Sequence, residues 1–125
     1  MPRHPRVGDI REIAKHVNCQ LDEFCIAYDG WTLRERIKKL VLIRHGTDDL
    51  GISVVHDSLE CKRSARSRIA AYLVSNVGEV VHSDELEVVS GISDYGRRIR
   101  ELRVELGYRI FTGASSDETT GLTLR

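Results

Sequence analysis

Four arginines crowd one short segment, Arg97, Arg98, Arg100 and Arg103, and a second basic cluster, Lys62, Arg63, Arg66 and Arg68, lies some thirty residues upstream. A guanidinium is planar, stays charged at any physiological pH and offers a fork of donors. That fork matches the two acceptors on the major-groove edge of guanine, or two phosphate oxygens. Spaced along a helix, such side chains can read base edges, while a basic run at a helix start can grip phosphate through side chains and free backbone donors. A third pattern, Glu60-Cys61-Lys62, matches the acid-x-Lys half of the PD-(D/E)xK nucleases. There carboxylates hold magnesium and a lysine positions the attacking water. Asp48, Asp49 or Asp57 would supply the missing carboxylate, and Gly51 to Val55 would pair with Ser58 to Lys62 as a hairpin. A chain of this length leaves little room for the central sheet that such a site needs.

The arginine segment reads as a helix entered at Ser93, which caps it, and stopped by Gly107. At about 100° per residue, Ile92, Tyr95, Ile99, Leu102 and Leu106 share one arc and face a core. Ser93, Arg97, Arg100 and Val104 lie opposite; Asp94, Glu101 and Glu105 form a neighbouring stripe with Arg98 at its edge. Arg103 borders the core arc and reads as a salt-bridge partner. The site residues expected to contact DNA are therefore Arg97, Arg100, Arg98 and Ser93 on this helix, with Lys62, Arg63 and Arg66 as phosphate contacts. No catalytic residue and no metal ligand is expected among them.

The neighbouring elements can position that helix. Ser64 to Asn76 reads as a first helix burying Ile69, Leu73 and Val77, ended by Gly78, and Glu79-Val80-Val81-His82 reads as a short strand. Ser83 caps a helix of Asp84 to Val89 with acids in its first turn, and Ser90-Gly91-Ile92 makes a tight turn. Tyr108 to Thr112 and Leu122 to Leu124 alternate as strands around a polar Gly113–Gly121 segment, which would be a wing. Upstream, three short helices are expected: Asp9 to Val17, Leu21 to Tyr28 with Asp29-Gly30 as its stop, and one capped by Thr32 that ends near His45-Gly46. The reading is an α+β, mainly helical chain. Residues 1–46 form a helical bundle, 47–63 a linker with one weak extended piece, and 64–125 a winged helix-turn-helix.

Within 64–125, Asn76-Val77-Gly78-Glu79-Val80-Val81, Val89-Ser90-Gly91-Ile92-Ser93 and Tyr95-Gly96-Arg97-Arg98-Ile99-Arg100-Glu101-Leu102-Arg103 resemble a winged-helix module of bacterial proteins that carry HNH nuclease domains, including restriction-type endonucleases. The resemblance covers about fifty residues and implies DNA recognition by the arginine helix. It implies no catalysis in this chain, which has no HNH motif.

Composition bounds the rest. With 125 residues, 41% of them apolar, the chain can bury a core without disulfides or metal. Its three cysteines, Cys19, Cys25 and Cys61, form no paired framework, and His16 with Cys19 and Cys25 falls short of a closed zinc pattern. No cofactor is expected. The longest purely apolar run, Leu40-Val41-Leu42-Ile43, is far too short for a bilayer, and no apolar stretch follows Met1 to Arg6. A cytoplasmic protein without membrane contact is the expectation.

Net charge is zero: residues 1–61 hold 9 basic and 10 acidic side chains, residues 62–125 hold 10 and 9. A few placed arginines, and no broad positive field, must then carry any affinity for nucleic acid. Double-stranded DNA is the expected partner, read by a transcriptional regulator or by the recognition part of a restriction-type nuclease. The alternatives are the metal-dependent nuclease and a protein-interaction winged helix, which zero net charge favours. One recognition helix covers few base pairs, which makes a homodimer plausible, but no sequence feature specifies its interface.

Overall fold

A computed structural model describes residues 7–112 and 121–124. The chain divides into two compact units, residues 1–57 and 58–125. The element order is α1 (Val7–Ala27), a 3-10 turn (Tyr28–Gly30), α2 (Leu33–Ser58), α3 (Ala65–Ser75), β1 (Val81–His82), α4 (Ser83–Ser90), α5 (Gly96–Val104), β2 (Ile110–Thr112) and β3 (Gly121–Leu124).

The first unit is a hairpin of two long helices where three short ones were expected. Asn18-Cys19-Gln20 does not turn. It contains neither Gly nor Pro, and Ile10, Ile13, Val17, Gln20, Phe24 and Ala27 keep one partly or fully buried stripe running through it. The chain reverses at Asp29-Gly30, and Thr32 then starts α2 with a reciprocal cap. Glu35 N–H donates to Thr32 Oγ1, and Thr32 N–H to Glu35 Oε1, each at 3.2 Å. That cap holds the Glu35 carboxyl below its usual range. Arg36 Nε donates to the Tyr28 carbonyl at 3.0 Å while its guanidinium lies 3.8 Å from the Tyr28 ring centroid.

Nor does α2 end at Gly46. A Cβ there would come within 2.7 Å of Val17 Cγ2, so this glycine lets two helix backbones approach instead of stopping one. The expected linker is correspondingly shorter. Residues 47–58 are helical, with Gly51 and Val55 buried, and the β-branched run Ile52 to Val55 yields to its tertiary setting. No extended piece forms there.

The second unit packs α3, α4 and α5 against a three-stranded antiparallel sheet of order β1-β3-β2. Its core is Ile69, Leu73, Val81, Leu86, Ile99, Leu102, Ile110 and Leu124, with Tyr72, Tyr95, Tyr108 and Leu122 partly buried against it. Ser64 caps α3, accepting from Ser67 N–H at 3.1 Å. Val77, expected inside, is exposed because α3 stops at Ser75 and Gly78 turns the chain with φ of 86°. His82, not Ser83, occupies the N-cap of α4, and Glu85 Oε2 accepts from its N–H at 2.7 Å.

The α4–α5 turn is built from Ser90, Gly91 and Ile92. Gly91 takes φ of 71°, which a Cβ would disfavour, and Ser90 Oγ both accepts from Ile92 N–H and donates to Ile92 C=O. That bracket delays the next helix to Gly96, so Ser93 is exposed before α5 and is not its cap. At the other end Gly107 (φ 71°) reverses the backbone and Tyr108 N–H returns to Leu102 C=O at 3.0 Å. Leu106, beyond this shortened helix, is exposed. The expected wing falls mostly on residues 113–120, outside the described residues. On either side of it β2 and β3 pair with Ile110 opposite Leu124 and Thr112 opposite Leu122.

Candidate nucleic-acid interface

A buried arginine on α3 closes the C-terminal end of α4, just ahead of the turn into α5. Arg68 sends Nε to Val89 C=O at 3.0 Å and Nη2 to Ser90 C=O at 2.6 Å. These are the last carbonyls of α4, which have no partner within the helix, and the guanidinium fork satisfies both. Desolvation pulls the Arg68 pKa down, yet arginine remains charged. Ile99 and Leu102 then anchor the inner face of α5 in the core.

A second strut ties α3 to α4. Tyr72 donates its hydroxyl to Glu85 Oε1 at 2.6 Å, and that bond chiefly pushes the Tyr72 pKa up to about 12. The same bond leads the causes that hold Glu85 below the usual carboxylate range. One carboxylate thereby caps α4 through one oxygen and fastens it to α3 through the other.

The outer face of α5 carries the predicted arginines in two states. Arg100 is exposed, with no ion pair among the described residues. Arg97 is also exposed and reaches Glu101 Oε1 only loosely, Nε lying 3.6 Å away. Arg98 is partly buried and donates Nη1 to Glu101 Oε1 at 2.7 Å. From α3, Arg66 approaches the other oxygen of Glu101 at 3.6 Å and Glu105 Oε2 at 3.8 Å. Three of the seven predicted residues thus meet at one carboxylate that sequence reasoning had placed only on a neighbouring stripe. The local part was readable, since Glu101 stands four residues after Arg97 and three after Arg98. The approach of Arg66 depends on how α3 packs on α5. Ser64, Ala65, Arg66, Arg98, Glu101 and Glu105 line a groove of about 390 Å³ there.

Lys62 and Arg63 are exposed just ahead of α3, and Lys62 C=O accepts from Ser64 N–H at 2.9 Å. Ser93 stands exposed between α4 and α5. Arg103, expected in a salt bridge, is exposed and makes none among the described residues.

The hairpin expected around the carboxylate-lysine pattern does not form. Asp48, Asp49 and Asp57 ride on α2, so Gly51 to Val55 cannot form the hairpin that would face Glu60 and Lys62. Among the described residues no group of three His, Cys, Asp or Glu is placed to hold a metal ion. Cys19 and Cys25 are exposed on α1, and burial pushes the Cys61 thiol up against the opposing pull of Arg68. A raised thiol pKa makes a poor nucleophile. Among the described residues no helix is long and apolar enough to cross a membrane.

Neither the curated proteins nor the solved structures contain a match to this chain. Residues 66–121, from the first turn of α3 to the first residue of β3, match the family model of the KpnI N-terminal domain. The second unit therefore carries a stretch similar to a restriction-endonuclease-related domain, which links this chain to restriction–modification proteins.

Proposed function

We propose that residues 64–125 form a winged helix-turn-helix that binds double-stranded DNA, with α5 as the recognition helix. The element order α3-β1-α4-α5-β2-β3 suits that fold, and the turn at Gly91 suits a helix-turn-helix corner. The observation that carries the reading is the exposure of Arg97 and Arg100 on a helix whose inner face is anchored in the core by Ile99 and Leu102. Two solvated guanidiniums on a helix packed into the core can enter the major groove. Lys62 and Arg63, exposed ahead of the N-terminus of α3, would hold phosphate, and Arg66 and Arg98 would exchange Glu101 for phosphate on contact. The match to the KpnI N-terminal domain favours the recognition part of a restriction-type nuclease over a stand-alone transcriptional regulator.

Fluorescence anisotropy against a duplex selected from a random pool tests this. Arg97→Ala and Arg100→Ala should each weaken specific binding by about 1–3 kcal/mol, with the circular dichroism unchanged. Equal affinity for wild type and both variants would remove α5 from the interface.

A further inference from the structure

The helical hairpin of the first unit leaves one flank apolar and uncovered. Val17 against Gly46 and Glu23 against Lys39 set an antiparallel register. In that register the α1 stripe faces Arg36, Lys39, Ile43, Gly46 and Leu50 of α2, every one buried or partly buried. Seven-residue spacing then assigns the remaining positions to two flanks. On one of them stand Leu21, Cys25 and Tyr28, beside Leu33, Ile37 and Leu40. Cys25 is exposed, and the other five are between 42% and 73% exposed. The opposite flank, Ile26, Leu42 and Ile52 apart, is mostly polar, with Glu12, His16, Glu23, Glu35, Lys38 and Asp49. Two helices alone can bury a single seam, so a second apolar stripe of this length calls for a cover.

We infer that the cover is a second copy of this chain, whose hairpin stacks on the same flank with the two turns at the same end to make a four-helix bundle. A two-fold axis parallel to the helices lays α1 of one copy on α2 of the other in the register already used inside each hairpin. Leu21 then meets Leu40 of the second copy, Cys25 meets Ile37, and Tyr28 meets Leu33. The charges at the outer edge agree with this stacking. Lys15 falls level with Asp48 of the second copy, and Asp29 with its Arg34, opposite signs at both positions. Stacking with the turns at opposite ends would lay Leu33 and Ile37 over Arg44 and Thr47. The inference stands on the first unit alone and does not depend on DNA binding by the second.

Sedimentation equilibrium of the full chain tests it, with a dimer expected at concentrations on the order of 10 μM. Leu40→Asp puts two charges into the stacked face and should raise the dissociation constant by about a hundredfold or more. Leu40 is exposed in the single chain, so helical content should persist; Leu33→Asp is a second variant of the same kind. Orientation is read by disulfide trapping in a Cys19→Ser, Cys61→Ser background. There Ile37→Cys should give a covalent dimer under mild oxidation, and Cys25→Ser should abolish it. A monomer in sedimentation, a dimer indifferent to both Asp variants, or cross-linking that survives Cys25→Ser would each overturn the arrangement.

Discussion

Arg98 gives its guanidinium to Glu101 across 2.7 Å, and Arg66 and Arg97 converge on the same carboxylate from two helices. Glu101 therefore withholds positive charge from solvent at the surface where DNA would dock. Glu101→Gln should release all three arginines, tighten binding to random duplex by about three- to tenfold at low salt and steepen the salt dependence. Anisotropy titrations over a range of salt concentrations measure both. A variant with unchanged random-duplex affinity would mean that these arginines do not reach DNA.

The basic approach to α3 should behave differently from α5. Neutralising Lys62 and Arg63 together should weaken binding to target and random DNA alike and flatten the log–log salt slope by about one unit per lost phosphate contact. A loss confined to the target duplex would reassign these residues to base reading.

Arg68 should matter to folding more than any surface arginine. Arg68→Met keeps the stem but strands two carbonyls at the α4–α5 turn, and should cost about 2–4 kcal/mol in chemical unfolding of the second unit. Arg68→Lys should recover little, because one ammonium cannot span both carbonyls in the geometry of the fork.

The Tyr72–Glu85 bond sets a pH window. Glu85 is depressed, so its contribution is present above the unfolded carboxylate value of about 4.3 and fades as pH falls through the lower folded value. Tyr72 is raised to about 12, so its share is complete below the unfolded value and is lost as pH climbs from about 10 through the folded value. Tyr72→Phe should cost about 1 kcal/mol near neutrality and soften both limbs of the stability–pH curve. A curve that keeps its wild-type shape would show the bond to be absent in solution.

Gly46 offers a test of the helical hairpin. Gly46→Val must displace Val17, and should destabilise the first unit by about 2 kcal/mol despite removing a glycine from a helix interior. Thermal melting followed by circular dichroism measures it, with Thr47→Val, at an exposed neighbour, as the control.

Legibility followed the range of the interaction. The cap at Thr32, the stop at Gly107, the corner at Gly91 and the inward set Ile69, Leu73, Ile99 and Leu102 are fixed by residues a few positions apart, and local pattern revealed them. Gly46 misled because a glycine at a helix end and one at a helix crossing look alike until the partner helix is known. The run Ile52 to Val55 suggested an extended piece, yet packing held it in α2. At the candidate interface the arginines themselves were plain. The division of Arg66, Arg68, Arg97, Arg98 and Arg100 into clamped, shared and exposed was hidden, because it depends on α3 meeting α4 and α5.

The middle strand of the sheet is the last of the three in chain order. β3 lies between β1 and β2, and Gly78 N–H also bonds to Leu124 C=O at 2.9 Å, so residues 121–124 hold both edges and the end of the turn after α3. During synthesis the three helices of this unit leave the ribosome before the strand that closes the sheet beneath them. Val81 and Ile110 must wait for Leu122 and Leu124, the residues opposite them in the two ladders. The sheet thus closes only with its last strand, and a released chain cut short before residue 121 would present an α3–α5 assembly with its apolar underside open to chaperones and proteases.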